Sequence, residues 1–325
     1  MKAMQLNAYG PASDLSLVEA NKPSIHADQI LVHVGAAGVN PVDTYIRSGT
    51  NNYSTSFPHT PGLDGSGTIV ELGANLSDSG VSGFKIGQRV YFSRNLTGSS
   101  AEYAVCLPTH TFPLADSLSF EEGAGIGIPY TTAYRALFGR ANATAGDKVL
   151  IHGATGAVGL ATVQLALVAG MDVVASSGTL EGADLLRQQG VKEVIMHSEE
   201  GHLAPYQSLE AGFDIVIEML ANHNLDQDLK ALAVGGCVAV VGNRGTVEIN
   251  PRDLMARDAS VIGVALAQIK PNELALIAKA MRPLFEKGVL KPVVRRVYSL
   301  DELPQAQEDV LKSGALGNLV VSIKN

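Results

Sequence analysis

Cysteine is nearly absent from this chain, which carries only Cys106 and Cys237 among its 325 residues. Two thiols so far apart in sequence cannot supply a disulfide framework or the four thiolates of a structural zinc lobe. The scarcity of cysteine therefore favours a protein of a reducing compartment.

Long apolar runs and basic clusters are missing as well. No stretch reaches the roughly 18 uncharged apolar residues that a membrane span requires, and the amino-terminal MKAMQLNAYGPASDLSL lacks the continuous apolar segment of a signal peptide. The formal net charge is −8, and no run of five or more like charges gives an electrostatic footprint for a polyanion. We therefore predict a cytoplasmic protein whose partners include neither a membrane nor nucleic acid.

The remaining composition is that of a globular protein, with 46% hydrophobic and 17% charged residues and 34 glycines. The length indicates two domains, because single cores stop growing at about 250 to 300 residues. Up to residue 122, short apolar runs separated by glycine, proline and polar turns predict a β-rich domain. Over 123–265, apolar strands alternate with helices, which predicts an α/β fold with a doubly wound parallel sheet. The segment 266–325 resembles the first region and is predicted to complete that domain.

Three glycines separate an apolar strand from an apolar helix in KVLIHGATGAVGLATVQLAL, residues 148–167. Gly153 permits a sharp turn after the strand, Gly156 lets the main chain approach a phosphate, and Gly159 lets the helix pack close to the sheet. The helix amino terminus then offers N–H groups and a partial positive charge to a pyrophosphate. The spacing is GxxGxxG rather than GxGxxG, so an ordinary strand-to-helix turn is the alternative, and the surrounding strands and helices favour a dinucleotide site.

The strand DVVASSG ends about where an NAD-preferring site places an acidic residue on the ribose. Ser176, Ser177 and Gly178 occupy that position, with Glu181 nearby and no basic residue before Arg187. A carboxylate about 4 Å from a 2′-phosphate would cost roughly 4 kcal/mol, whereas hydroxyl groups can hydrogen-bond to the phosphate. The sequence therefore favours NADPH over NADH, with a simple chain turn as the alternative.

Six longer motifs run through the chain: GVNPVDTYIRSGT (38–50), TPGLDGSGTI (60–69), GIPYTTAYRALF (127–138), HGATGAVGLA (152–161), IEMLANHNL (217–225) and VVGNRGTVEINPRDLMA (240–256). With them, essentially the whole chain resembles the medium-chain dehydrogenase/reductase superfamily, and within it the zinc-free NADPH:quinone oxidoreductases of the zeta-crystallin type. The resemblance implies a GroES-like catalytic domain and a Rossmann domain, with NADPH in the cleft between them.

The resemblance also implies the site residues. Tyr45 would lie beside the nicotinamide, Asn40 would shape the same pocket and Thr132 would contact the carboxamide, so these three are the predicted catalytic residues. The predicted cofactor-binding residues are Tyr45, Thr132, Gly153, Thr155, Gly156, Ala157, Val158, Gly159, Ser176, Gly178, His197, Asn224, Val241, Gly242, Asn243 and Arg244.

Three positions depart from related proteins. Asn40 stands where zinc-dependent relatives carry a ligand cysteine, and Leu63-Asp64-Gly65 stands where they carry a Gly-His-Glu, so the resemblance implies no metal. Asn318 stands where the family often has a lysine in a glycine-rich turn, which leaves open a cofactor contact from that turn. Arg47 is interpreted as an ordinary surface cation.

A quinone accepts hydride without a metal because the negative charge is delocalised over its ring, and alignment in a closed site then does most of the catalysis. Tyr45 is the candidate hydroxyl donor, with aromatic packing as the alternative role.

The alternative enzyme activity is reduction of a 2-alkenal or enone double bond. The non-enzymatic alternative is an AU-rich RNA-binding or crystallin-like structural protein, which the acidic balance disfavours. Family habit implies a homodimer or homotetramer, paired through the SVIGVAL edge of the sheet.

Overall fold

A computed structural model describes residues 1–77 and 83–323, and the chain divides into two units. The first unit comprises Met1–Ile128, Lys270–Lys312 and Gly317–Asn325, and the second comprises Pro129–Ile269 and Ser313–Leu316. The predicted boundaries, after residue 122 and before residue 266, fall a few residues from these divisions, and the domain assignment stays a prediction.

The strands are β1 (Lys2–Gln5), β2 (Ser16–Glu19), β3 (Ile30–Val39), β4 (Gly65–Leu72), β5 (Arg89–Phe92), β6 (Tyr103–Cys106), β7 (Thr111–Pro113), β8 (Lys148–Ile151), β9 (Asp172–Ser177), β10 (Glu193–Met196), β11 (Phe213–Glu218), β12 (Leu232–Val240), β13 (Ser260–Gly263), β14 (Val294–Tyr298) and β15 (Asn318–Ser322). The helices are α1 (Pro41–Ser48), α2 (Ala74–Ser77), α3 (Phe120–Ala124), α4 (Gly127–Tyr134), α5 (Ala157–Val168), α6 (Leu180–Gln188), α7 (Ala221–Lys230), α8 (Pro251–Met255), α9 (Pro271–Glu286) and α10 (Leu303–Asp309). In the quoted segments, the apolar runs KVLI and DVVASS form β8 and β9.

The first unit is built on a seven-stranded sheet in the order β14-β15-β3-β4-β5-β7, with β6 also paired to β3. Strand β3 lies inside the sheet and is apolar along nearly its whole length, as expected for a strand with both faces covered. Strand β15, close to the carboxyl terminus, pairs antiparallel with β3. Residues 318–322 are therefore part of the same sheet as β3 to β7, whereas β1 and β2 pair in a separate two-stranded sheet.

One charged residue of the first unit lies where the sequence did not predict it. The Arg47 side chain is buried, and its Nε donates to Gln307 Oε1 at 2.6 Å while Nη1 donates to the carbonyl of Gly10. The interpretation of Arg47 as a surface cation was wrong, because partners distant in sequence cover its guanidinium.

The second unit is built on six parallel strands in the order β10-β9-β8-β11-β12-β13. The chain leaves β8 towards one side of the sheet and returns at β11 towards the other, so the order reverses between these two strands. Ligands of open α/β sheets bind outside the carboxyl ends of the strands at such a reversal. The predicted fold class, a Rossmann-type parallel sheet with a second β-rich domain, is confirmed.

Interior residues of this sheet, such as Leu150, Val174, Val216 and Val238, are completely buried. Their burial between helices on both faces explains why β8, β9 and β11 lack the alternation of half-exposed strands. Within residues 1–77 and 83–323, no helix is both long and apolar enough to cross a bilayer.

Candidate active site

The glycine-rich loop follows β8 at the reversal of the sheet. Gly153 has a φ of +55°, a conformation that disfavours residues with a Cβ, and this sets the sharp turn after the strand. A Cβ at Gly159 would lie 2.3 Å from the carbonyl oxygen of Gly153, so glycine is also needed where α5 packs against the loop. Both glycines therefore serve the fold of the loop itself.

Gly156 differs from the other two glycines because the protein does not require it. Its φ and ψ of −75° and 172° suit any residue, and a Cβ there would come no closer than 3.4 Å to the nearest protein atom. Gly156 is the amino-terminal cap residue of α5, and no side chain caps this helix end. The first N–H groups of a helix have no partner within it, so the space above Gly156 suits an anionic group such as a pyrophosphate.

The carboxyl ends of β9 and β10 lie beside each other. A Cβ at Gly178 would lie 2.7 Å from the Nε2 atom of His197, so these two predicted residues are in close contact. Ser176 is completely buried, and its Oγ accepts a hydrogen bond from the Gly153 N–H at 3.3 Å. The structure thus places the Ser176 hydroxyl against the glycine loop.

The carboxyl ends of β11 and β12 continue this edge. The N–H groups of Val241 and Gly242 donate to the carbonyl of Glu218 at 2.8 and 3.2 Å, and a Cβ at Gly242 would strike the Met219 carbonyl at 2.2 Å. Met219 also faces Gly153, because a Cβ at that glycine would lie 3.2 Å from the Met219 Cβ.

Three further predicted residues follow these strand ends. The Arg244 N–H donates to the Asn222 side chain at 2.9 Å, Asn243 donates to the carbonyl of Gly245, and Asn224 donates to both Glu218 oxygens. Except for Thr132, the predicted dinucleotide residues of the second unit therefore follow five neighbouring strand ends, and the residues present there fit a dinucleotide.

In the first unit, Asn40 precedes α1, which carries Tyr45. A capping box starts this helix, because Asn40 donates its N–H to Asp43 Oδ2 at 2.8 Å and its side chain accepts from the helix backbone. The Asn40 amide also donates to Asp64 Oδ2 at 3.2 Å. The Tyr45 ring is half-buried and stacks on Tyr53 with 6.3 Å between ring centroids.

Two buried carboxyl groups support this segment. Asp43 accepts the N–H of Leu63 at 3.2 Å, and Asp64 accepts the N–H of Ile128 at 2.8 Å, but Asp64 Oδ1 is buried without a hydrogen-bond partner. Burial raises the pKa of Asp43 to about 7 and that of Asp64 to about 8, against the opposing effect of these N–H bonds. At neutral pH, Asp64 therefore carries a proton, for which Oδ1 is the available atom.

These groups do not fit a zinc ion. Asn40 supplies no thiolate, and Asp64 Oδ2 is already occupied by two N–H donors, so the donor set lacks the thiolate and imidazole ligands that zinc prefers. Cys106 and Cys237 are both buried and lie in different units. We derive no catalytic step through zinc.

The raised pKa of Asp64 makes stability depend on pH. Because the Asp64 pKa is about 8 in the folded chain and 3.8 for an ordinary aspartate, the folded state binds more protons between these values, and wild-type stability falls as pH rises through this window. Asp64→Asn removes this contribution and keeps the shape of the side chain. The difference in urea midpoint, variant minus wild type, is therefore expected to increase between about pH 5 and about pH 9.

The control is Asp116→Asn, because the Asp116 side chain is fully exposed. Its urea midpoint relative to wild type is expected to stay constant over the same pH range. An Asp64→Asn difference that is equally constant would show that Asp64 is ionised throughout.

Two other predicted positions lie in separate surroundings. Thr132 is buried on α4 in the second unit. Asn318 begins β15, and both its N–H and its side-chain amide donate to the carbonyl of Val293, at 2.8 and 3.0 Å. The Asn318 side chain thus bonds to the backbone of the first unit.

Sequence reasoning missed a buried polar cluster of the second unit. His152, Glu218 and Asp228 are each buried, and their ligand-type atoms lie within 4.8 Å of one another. Two signals were available: His152 and Glu218 are polar residues at the ends of apolar strands, and β8 pairs with β11 at Ile151 and Ile217, one residue earlier.

The fold and this site define a medium-chain dehydrogenase/reductase. An alcohol dehydrogenase GroES-like domain matches residues 26–131, and a zinc-binding dehydrogenase domain matches residues 157–281. A quinone oxidoreductase of Rattus norvegicus is 43% identical over 325 residues, covering 99% of this chain and 97% of that protein. The chain belongs to the quinone oxidoreductase family of the zeta-crystallin type.

Two solved structures agree with this assignment. A quinone oxidoreductase of Pseudomonas syringae has a TM-score of 0.87 at 25% identity, with 99% of both chains covered. A mycobacterial protein complexed with NADPH has a TM-score of 0.90 at 25% identity, covering 99% of this chain and 100% of that one.

Proposed function

We propose that this protein is a zinc-independent oxidoreductase that transfers reducing equivalents from NADPH to quinones. The observation that carries the proposal is the space left at Gly156 above the uncapped amino terminus of α5, in a chain 43% identical to a quinone oxidoreductase. Bound NADPH would supply the hydride. The neighbour complexed with NADPH supports this choice of cofactor.

We assign the remaining predicted residues of the second unit to the dinucleotide. Thr155, Gly156, Ala157 and Val158 bind the pyrophosphate through the loop and the first turn of α5. Gly178 and His197 border the 2′-phosphate, and the groove continues along Asn224, Val241, Gly242, Asn243 and Arg244.

Asn40, Tyr45 and Thr132 stay the predicted catalytic residues, with Thr132 assigned to the carboxamide of the nicotinamide and Tyr45 to the acceptor. The capping box fixes the start of α1 and so fixes Asn40 and Tyr45 relative to each other. The Tyr45 hydroxyl donates a hydrogen bond to the acceptor oxygen, where negative charge develops. Because a quinone delocalises this charge over its ring, a neutral donor or solvent is sufficient for protonation.

The test is oxidation of NADPH, followed by absorbance, against a panel of ortho-quinones, para-quinones and enones, with NADH as a second donor. We expect turnover with quinones and faster turnover with NADPH. Turnover of enones alone would identify a double-bond reductase, and tight binding of AU-rich RNA at physiological salt without turnover would identify a binding protein.

The same assay tests Tyr45. Tyr45→Phe is expected to lower kcat/KM for quinones by about tenfold, because one hydrogen bond to developing charge is lost. The control is Tyr53→Phe, which removes the hydroxyl group of the ring stacked on Tyr45 and keeps the ring itself. This variant should leave kcat/KM unchanged. An unchanged Tyr45→Phe variant would remove the hydroxyl from the mechanism.

We further infer a cytoplasmic homodimer or homotetramer. Both cysteines are free and buried, which agrees with a reducing compartment. Strand β13 is an edge of the parallel sheet with Val261 partly exposed, and it is the surface that the oligomer would pair.

A further inference from the structure

A chain of buried side chains lies directly beneath the glycine loop. His152 Nε2 lies 2.8 Å from Asp228 Oδ1, and His152 Nδ1 lies 3.4 Å from Ser176 Oγ. Ser176 Oγ in turn accepts the N–H of Gly153 at 3.3 Å. Asp228 and Ser176 are completely buried and His152 is almost so, so none of these bonds competes with bulk water.

The partners fix the direction of each hydrogen bond. Gly153 can only donate through its N–H, so Ser176 Oγ accepts there and its own proton is free to point at His152 Nδ1. His152 then accepts at Nδ1 and donates from Nε2 to the Asp228 carboxylate. Burial lowers the pKa of His152, in agreement with a neutral ring that carries its proton on Nε2.

The same cluster holds the neighbouring turn. Glu218 lies 3.7 Å from His152 Nε2 and accepts hydrogen bonds from the Leu220 N–H and the Asn224 amide. Burial raises the pKa of Glu218 and of Asp228 to about 7, so the two carboxyl groups can share a proton near neutral pH. The turn after β11 and the loop after β8 are thus both hydrogen-bonded to the same buried cluster of polar side chains.

The geometry favours hydrogen bonding over a metal ion in this cluster. Two ligands bound at 2.0–2.2 Å to a tetrahedral ion lie about 3.3 Å apart. His152 Nε2 and Asp228 Oδ1 are only 2.8 Å apart, which is the distance of a charge-assisted hydrogen bond.

We propose that Asp228, His152 and Ser176 form a relay of positioning residues that holds the Gly153 N–H and thereby presets the glycine loop for the pyrophosphate of the dinucleotide. The relay rests on the proposed function in one respect, that a dinucleotide is the ligand of this loop. It assigns to Ser176 a supporting role beneath the loop, in place of a direct contact with the 2′-phosphate.

The two roles of Ser176 differ in what they predict for NADH. The pyrophosphate is common to NADPH and NADH, whereas only NADPH has the 2′-phosphate. Loss of the relay is therefore expected to weaken the binding of both dinucleotides by the same factor. Loss of a direct phosphate contact is expected to weaken the binding of NADPH alone.

The first experiment is calorimetric titration of wild type and Ser176→Ala with NADPH and with NADH. The variant leaves the Gly153 N–H without its acceptor, and we expect the dissociation constants of both dinucleotides to rise together by about 5–10-fold. The control is Ser66→Ala, the same change at a buried serine of the first unit whose Oγ donates to the carbonyl of Phe120. It should leave both constants unchanged.

The second experiment is a double-mutant cycle with Asp228→Asn. No hydrogen bond joins Asp228 to Ser176 among the described residues, and each of them bonds to His152, which connects them. Asp228→Asn is expected to weaken binding about threefold in the wild-type background and to have no further effect beside Ser176→Ala. Nitrogen-15 NMR of the wild-type imidazole should show His152 protonated on Nε2 only, and this measurement needs no variant.

The outcomes separate the relay from the proposed function. A wild-type protein that binds neither dinucleotide overturns both. A wild-type protein that binds NADPH, with a Ser176→Ala variant weakened for NADPH alone or for neither dinucleotide, overturns only the relay. Additive effects of Ser176→Ala and Asp228→Asn, or a proton on His152 Nδ1, also overturn it.

Discussion

Gly156→Val is expected to raise the dissociation constant for NADPH by about 100-fold while lowering the free energy of unfolding by no more than about 1 kcal/mol, the cost of a poorer helix cap. The backbone dihedral angles at Gly156 are those of an extended residue, and the nearest protein atom to the new Cβ would be 3.4 Å away, so the Cβ itself meets no steric clash. The side chain would instead fill the space above the first turn of α5, where the pyrophosphate is expected to bind. Calorimetric titration and thermal unfolding measure the two effects separately.

Gly159→Val gives the matched contrast. Its Cβ would lie 2.3 Å from the Gly153 carbonyl, so this variant should lose stability as well as NADPH affinity. Wild-type affinity in a folded Gly156→Val variant would show that the phosphates bind elsewhere.

The dissociation constant for NADPH is expected to be higher by about 100-fold or more in Gly178→Asp than in Gly178→Asn. The two variants should differ little in their dissociation constants for NADH. Like charges about 4 Å apart repel by roughly 4 kcal/mol, nearly three decades in affinity. Any side chain at this position must displace His197, whose Nε2 would lie 2.7 Å from the new Cβ. Comparison with Asn removes this steric effect, since Asp and Asn have the same shape.

The ratio of NADPH to NADH affinity is the quantity to measure for these two variants. An equal ratio in Gly178→Asp and Gly178→Asn would mean that the 2′-phosphate does not approach the end of β9. The preference for NADPH would then require another explanation.

The strands and the glycine loop were predictable because their signals are local. An apolar run between turns predicts a strand wherever it lies, and a glycine with the positive φ of Gly153 is needed for the turn itself. For the same reason, the apolar helix predicted after the glycine loop is found as α5, Ala157–Val168. The six strands of the second unit also follow from the alternation of strands and helices.

The buried polar groups were not predictable because their surroundings come from distant parts of the chain. Arg47 is buried against Gln307, and His152 bonds to Asp228, which lies on α7. Ser176 shows the same difficulty within a correctly predicted strand. The sequence places a hydroxyl near the end of β9, but only the structure shows that this hydroxyl bonds to Gly153.

The central claim is that the loop from Gly153 to Gly159 and the amino terminus of α5 bind the pyrophosphate of NADPH. The most direct test is calorimetric titration of the purified wild-type protein with NADPH and with NADH. The account predicts saturable binding of both dinucleotides, tighter for NADPH, and a loss of both in Gly156→Val. Absence of any affinity for NADPH in the folded wild-type protein would contradict it.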